Sequence, residues 1–180
     1  LGVIRPTAEQ APLMTQTGHI GVLATPGTVA SESYVIELQK QDPNLTITQQ
    51  ACPMWVPLIE SGEHLGAGAN YFVEKYLNEL LANDPEIDTI ILGCTHYPLL
   101  QTKIEDFLSK IGRKISVVAQ GDIVASSLQN YLLRHPDIAE RVKENMTPAV
   151  TYLTTESATK FAESASLFLA EPIQAQHIEL

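Results

Sequence analysis

Short aliphatic runs alternate with stripes of helical period along almost the whole of this 180-residue sequence, and that alternation restricts it to an α/β fold. Residues 18–24 (GHIGVLA) read as a buried strand that enters the turn Thr25-Pro26-Gly27-Thr28. A helix is expected over 31–40, and a strand over 45–51 that Cys52-Pro53 ends. From 67 to 82, Phe72, Val73, Tyr76, Leu77, Leu80 and Leu81 recur at three- and four-residue spacing, the mark of an amphipathic helix. Residues 87–92 (IDTIIL) suit a central parallel strand, and Leu100, Ile104, Phe107, Leu108 and Ile111 stripe the helix after it. The alternation continues with a strand at 115–118, a helix at 122–133, a strand at 150–153, a helix at 157–169 and a strand at 173–178. At the other end, residues 1–4 read as a strand followed by Arg5-Pro6. The expected architecture is α/β, a mostly parallel sheet with flanking helices in one domain or two small lobes. The polar stretch 134–148 reads as a surface connection, or as a short docked helix presenting Ile138, Val142 and Met146.

Composition narrows what such a fold can bind. With 44% hydrophobic residues the chain can bury a sizeable core, while 21 acidic against 11 basic side chains leave a net charge of −10. That balance argues against a nucleic-acid footprint or attraction to an anionic membrane. No apolar stretch approaches the roughly 20 residues that span a bilayer, and no leader-like segment opens the chain. A cytoplasmic protein is expected, with Cys52 and Cys94 as free thiols. The start at Leu1, not Met, reads as a fragment or processed chain.

Ligands of open α/β sheets bind outside the carboxyl ends of the strands, so the chemistry is sought in three strand-end loops. They are Thr25-Pro26-Gly27-Thr28, Cys52-Pro53 continuing to Glu60, and Gly93-Cys94-Thr95-His96-Tyr97-Pro98. In the third loop Gly93 permits a close turn, Cys94 offers a thiol, and His96 can tune it or share its proton. Thr95 can present a hydroxyl and an N–H to a carboxylate. The bland alternative makes Cys94 a small buried hydrophobe and His96 a hydrogen-bonded loop residue. Cys52 reads as packing, and Glu60 as either a charge partner or a solvated carboxylate. Thr25 and Thr28 either bind a carboxylate or cap the following helix. No metal-ligand spacing links the cysteines to His19, His64, His135 and His177.

Taken together, Gly21-Val22-Leu23-Ala24-Thr25 with Gly27-Thr28, Ala51-Cys52-Pro53 with 56–60 (VPLIE), and 92–99 (LGCTHYPL) resemble bacterial glutamate racemase. Order and spacing match over almost the whole chain, as the C-terminal two-thirds of that family. The resemblance implies inversion of the α-carbon of glutamate without a cofactor, supplying D-glutamate for peptidoglycan. Two cysteines on opposite faces of the substrate would exchange the roles of base and acid. It further implies that Cys94 is the second of those cysteines, assisted by His96 and Glu60, and that Thr25, Thr28 and Thr95 bind the substrate. Cys52 matches a cysteine outside the chemistry. The first cysteine, in a Cys-Asn-Thr-Ala segment, and a supporting Asp-Ser-Gly segment are absent from this sequence.

Carried over to architecture, the resemblance makes residues 1–117 the second lobe and 118–180 the returning part of the first, with exposed apolar surface where its sheet is incomplete. It implies a homodimer, glutamate as the small-molecule ligand, and no turnover by the 180 residues alone. From the residues alone, two other readings stay open: a cysteine acyl-transfer enzyme activated by His96, and a non-catalytic amino-acid-binding module.

Overall fold

The computed structural model describes residues 2–141 and 150–179. They form two compact units, divided between Tyr131 and Leu132.

The first unit is built on a four-stranded sheet of β1 (His19–Ala24), β2 (Thr46–Ala51), β3 (Thr89–Leu92) and β4 (Ser116–Val118). The spatial order is β2-β1-β3-β4, and every neighbouring pair is parallel. Parallel neighbours require crossovers, and the helices supply them: α2 (Pro26–Ala30) and α3 (Ser33–Gln41) after β1, α4 (Trp55–Glu60) and α5 (Ala67–Asn83) after β2, and α6 (Gln101–Lys110) after β3. Both sheet faces are covered, so β1 and β3 are buried along nearly their whole length. On one face Ile20, Val22, Ala24, Ile91 and Val118 pack with Tyr34 and Leu38 of α3 and with Ala8. On the other, Leu80 of α5 crosses β1 so closely that a Cβ on Gly21 would lie 2.8 Å from its Cδ2, which explains a glycine in mid-strand.

The opening segment departs from expectation. Residues expected as a strand at 1–4 lead instead into helix α1 (Ile4–Gln10), which packs on α3. Pro6 stands in its first turn, where an amide N–H has no helical partner to lose, and Pro6, Thr7 and Ala8 are buried. The helix expected over 31–40 is α3, while the turn expected before it winds into the short helix α2, set off from α3 by Glu32 at a φ of 52°. A 3-10 turn, Tyr97–Leu100, precedes α6. Helix α7 (Gly121–Arg134) follows β4 and spans the boundary between units.

The second unit, Leu132–Leu180, carries α8 (Pro136–Ala139), which includes Ile138. Val142 and Met146 of the expected docked helix lie outside the described residues. Strands β5 (Tyr152–Thr154) and β6 (Ala175–His177) pair in parallel, with α9 (Ala158–Leu169) as their crossover. Ser157 caps α9 by accepting from the Lys160 N–H, and the Tyr152 and Phe161 rings meet at 6.4 Å. Among the described residues no helix is long and apolar enough to cross a membrane.

Candidate active site

In the order β2-β1-β3-β4 the chain leaves β1 towards β2 on one side and leaves β3 towards β4 on the other, so the crevice lies at the carboxyl ends of β1 and β3. Two of the three loops expected to carry chemistry begin at those ends, and the third at the neighbouring end of β2. Backbone bonds hold the ends together: Gly93 N–H donates to Leu23 O at 2.8 Å, and Cys52 N–H to Ala24 O at 2.8 Å. At Gly93 a Cβ would stand 3.1 Å from Ala24 Cβ, Leu23 O and Tyr34 Cε2 alike. A side chain there would push the β3 turn away from β1, so Cys94 owes its place to that glycine.

Cys94 is partly exposed, and its Sγ lies 3.8 Å from His96 Nδ1. His96 Nε2 is 3.2 Å from Glu60 Oε1, the last residue of α4. The three groups thus form a line from the half-buried thiol to the solvent, His96 being 23% and Glu60 59% exposed at the side chain. Burial pushes the Cys94 thiol up. The N–H groups of His96 and Tyr97 and the Thr95 hydroxyl oppose that rise, while the Glu60 charge adds to it. Cys94 therefore rests as a thiol near neutral pH, with donors arranged to receive its thiolate.

Thr25 and Thr28 sit at the end of β1. Thr25 caps α2 by accepting from the Thr28 N–H, and the two hydroxyls are 3.0 Å apart. The capping role is thereby realised, and both hydroxyls stay at the crevice end of the sheet.

Cys52 stands apart from this group. It is 1% exposed, its Sγ lies 3.6 Å from Gln50 O, and burial holds its thiol far above the ordinary range. Tyr97 donates to Cys52 O at 3.2 Å and packs edge-on against Trp55 at 4.7 Å, fixing the foot of the Cys94 loop on the loop that follows β2.

No family model matches the chain. Over its whole length, however, it is 35% identical to a glutamate racemase of Streptococcus gordonii and 35% identical to one of Lactiplantibacillus plantarum. Glutamate racemases are thus what the chain is similar to from end to end. It spans 65% and 64% of the length of those two relatives. Solved glutamate racemases share its fold. One isoform from Bacillus anthracis matches all of this chain and 64% of its own, at 32% identity and a TM-score of 0.86. The Francisella tularensis enzyme, crystallised with D-glutamate, matches 99% of this chain and 62% of its own, at 26% identity and a TM-score of 0.79. The family resemblance carried by the motifs and the parallel α/β architecture are both borne out.

Sequence reasoning missed two residues behind the Cys94 loop, Gln120 and Tyr34. Gln120, just after β4, donates to Leu92 O and to the hydroxyl of Tyr34. It stands at a fourth strand end, and examining that end like the other three would have found it.

Proposed function

We propose that this chain is the Cys94-bearing part of a cofactor-independent glutamate racemase. The observation that carries the reading is the Cys94–His96–Glu60 line at the β1/β3 crevice, in a chain whose whole length resembles glutamate racemases, one of them crystallised with D-glutamate.

In this reading the thiol of Cys94 delivers a proton to one face of the substrate's α-carbanion and becomes a thiolate. In the opposite direction the thiolate removes that proton. His96, at 3.8 Å, stabilises the thiolate and exchanges its proton with water, and Glu60 fixes the imidazole by bonding its other nitrogen. The donors facing the sulfur make the thiolate accessible despite burial. The hydroxyls of Thr25, Thr28 and Thr95 hold the substrate's carboxylate or amino group. Inversion needs a second group on the other face. Cys52 is unsuited to that role because it is buried and held protonated. The reading therefore places the second thiol outside these 180 residues, within the part of the relatives that this chain does not span, and predicts no inversion by the 180 residues alone.

The proposal extends to the biological setting: D-glutamate supplied for peptidoglycan, in the cytoplasm, by a homodimer. It also divides the chain into a lobe of residues 1–117 and a returning segment of residues 118–180.

A Cys-His-carboxylate line also suits a nucleophile for acyl transfer, and the 3.8 Å and 3.2 Å spacings fit that alternative equally well. One experiment separates the two. The natural protein containing this sequence is incubated with each glutamate enantiomer, while optical rotation and intact mass are followed together. Inversion of both enantiomers without a mass increase on Cys94 supports the racemase. A covalent adduct on Cys94 without inversion contradicts it.

A further inference from the structure

The β3–β4 ladder ends before the site begins. Its register runs Thr89 to Ser116, Ile90 to Val117 and Ile91 to Val118, and β4 stops there, one residue short of a partner for Leu92. Leu92 O is the last strand carbonyl before Gly93 and Cys94, so it is where the reactive loop is anchored. The side chain of Gln120 takes the place of the missing backbone donor. Its Nε2 donates to Leu92 O at 2.8 Å and, with its second hydrogen, to Tyr34 Oη at 2.7 Å. Its Oε1 accepts from the hydroxyl of Thr7 at 3.3 Å. One amide thus ties β3 to α3 and α1, with both donors and its acceptor engaged.

Tyr34 is the other half of this clamp. It is 1% exposed, and its ring lies against the Gly93 turn, 3.1 Å from where a Cβ would be. Burial raises its phenol to about 12, so it stays neutral. Losing Gln120 would strip a donor from a buried carbonyl and from a buried hydroxyl at once, and the Gly93 turn is the segment free to relax.

We propose that Gln120 is a positioning residue for Cys94: by clamping Leu92 O and Tyr34 it aims the Cys94 loop so that the sulfur stays within reach of His96 Nδ1. The proposal rests on the reading of Cys94 as the acid/base thiol, but its test uses no substrate. Cys94 alkylation by iodoacetamide is followed against pH in the full chain, with the modified cysteine identified by mass spectrometry. Gln120→Met keeps the volume and removes the donors. It is expected to move the alkylation profile to higher pH and to slow the reaction at pH 7 by about three- to tenfold, a tenfold loss being one pKa unit. Tyr34→Phe, which leaves the Leu92 bond in place, is expected to shift it less. The double variant should shift it no further than Gln120→Met, because both act through one clamp. Asp88→Asn, at the opposite end of β3, serves as a variant that lowers stability without touching the site. An unshifted profile in Gln120→Met, with only a lower melting temperature like that of Asp88→Asn, would overturn the proposal. Should Gln120→Met not fold, an unshifted Tyr34→Phe overturns it equally. A shifted profile in the chain, with no exchange of the α-proton of glutamate by the natural protein containing it, would sink the racemase reading and leave the clamp standing.

Discussion

Cys52 and Cys94 each follow a strand of the same parallel sheet, at the same end, yet only Cys94 is partly exposed with an imidazole beside its sulfur. Cys52 closes β2 under Trp55 and Tyr97, with burial as the dominant influence on its thiol and the Glu79 charge adding to it. Cys94 closes β3 at the point where strand order reverses, with His96, Thr95 and two N–H groups facing the sulfur. Reactivity here is a property of the strand end and its loop, not of the residue type.

The contrast can be broken most forcefully at the thiols. Cys94→Ala is expected to lower the racemisation rate of the natural protein by about a thousandfold, the range that removal of a general acid/base produces. Retention of a tenth of the wild-type rate would erase the distinction between the cysteines. Next comes Glu60→Gln, which keeps the shape and removes the charge. The racemisation rate should fall by about tenfold through a less firmly held His96. Since the Glu60 charge raises the Cys94 thiol, the alkylation profile of Cys94 should move to lower pH in the same variant. A move to higher pH would show that Glu60 does not act on the sulfur through its charge.

Cys52→Ala should do the reverse of Cys94→Ala. It loses about 1 kcal/mol of stability through a small cavity, with turnover within about twofold of wild type. Urea unfolding and steady-state rates check the pair, and a large loss of turnover at unchanged stability would move Cys52 into the site. The smallest effect lies at the far end of the sheet. Asp88 is held at about 2, below its ordinary 3.8: burial works against ionisation, but the Thr15 hydroxyl and the N–H groups of Gln16 and Thr17 outweigh it. A depressed carboxylate contributes stability above its ordinary pKa and loses it as pH falls from about 4 to 2. Asp88→Asn should therefore cost about 1 kcal/mol near neutral pH and flatten the acid limb of the stability curve. Looser global packing should then speed alkylation of Cys52, which requires opening, and leave that of Cys94 unchanged.

The same contrast governs what the sequence revealed. Strands β1 and β3 were legible because both faces are buried, which produces continuous aliphatic runs, and α5 and α6 because they show a single apolar stripe. Helix α1 was missed, a strand at 1–4 ended by Arg5-Pro6 being expected there, and α4 was seen only as an apolar run. Each carries a proline at its third residue, Pro6 and Pro57, which reads as a breaker although a first-turn proline loses no hydrogen bond. Cys94, Thr95 and His96 were legible because they crowd one loop. Glu60 reached His96 only through α4, 36 residues earlier in the sequence. Gln120 was marked only by its place just after a strand, and its partners Leu92, Tyr34 and Thr7 are brought to it by the fold alone.

The central claim is that Cys94 moves a proton at the α-carbon. The direct test is deuterium wash-in at Cα of L- and D-glutamate in deuterated water, catalysed by the natural protein with and without Cys94→Ala. The account predicts exchange of both enantiomers by the wild type, and in Cys94→Ala a loss of the exchange that occurs on the face served by Cys94. Undiminished exchange of both enantiomers by Cys94→Ala, or no exchange by the wild type, would contradict it.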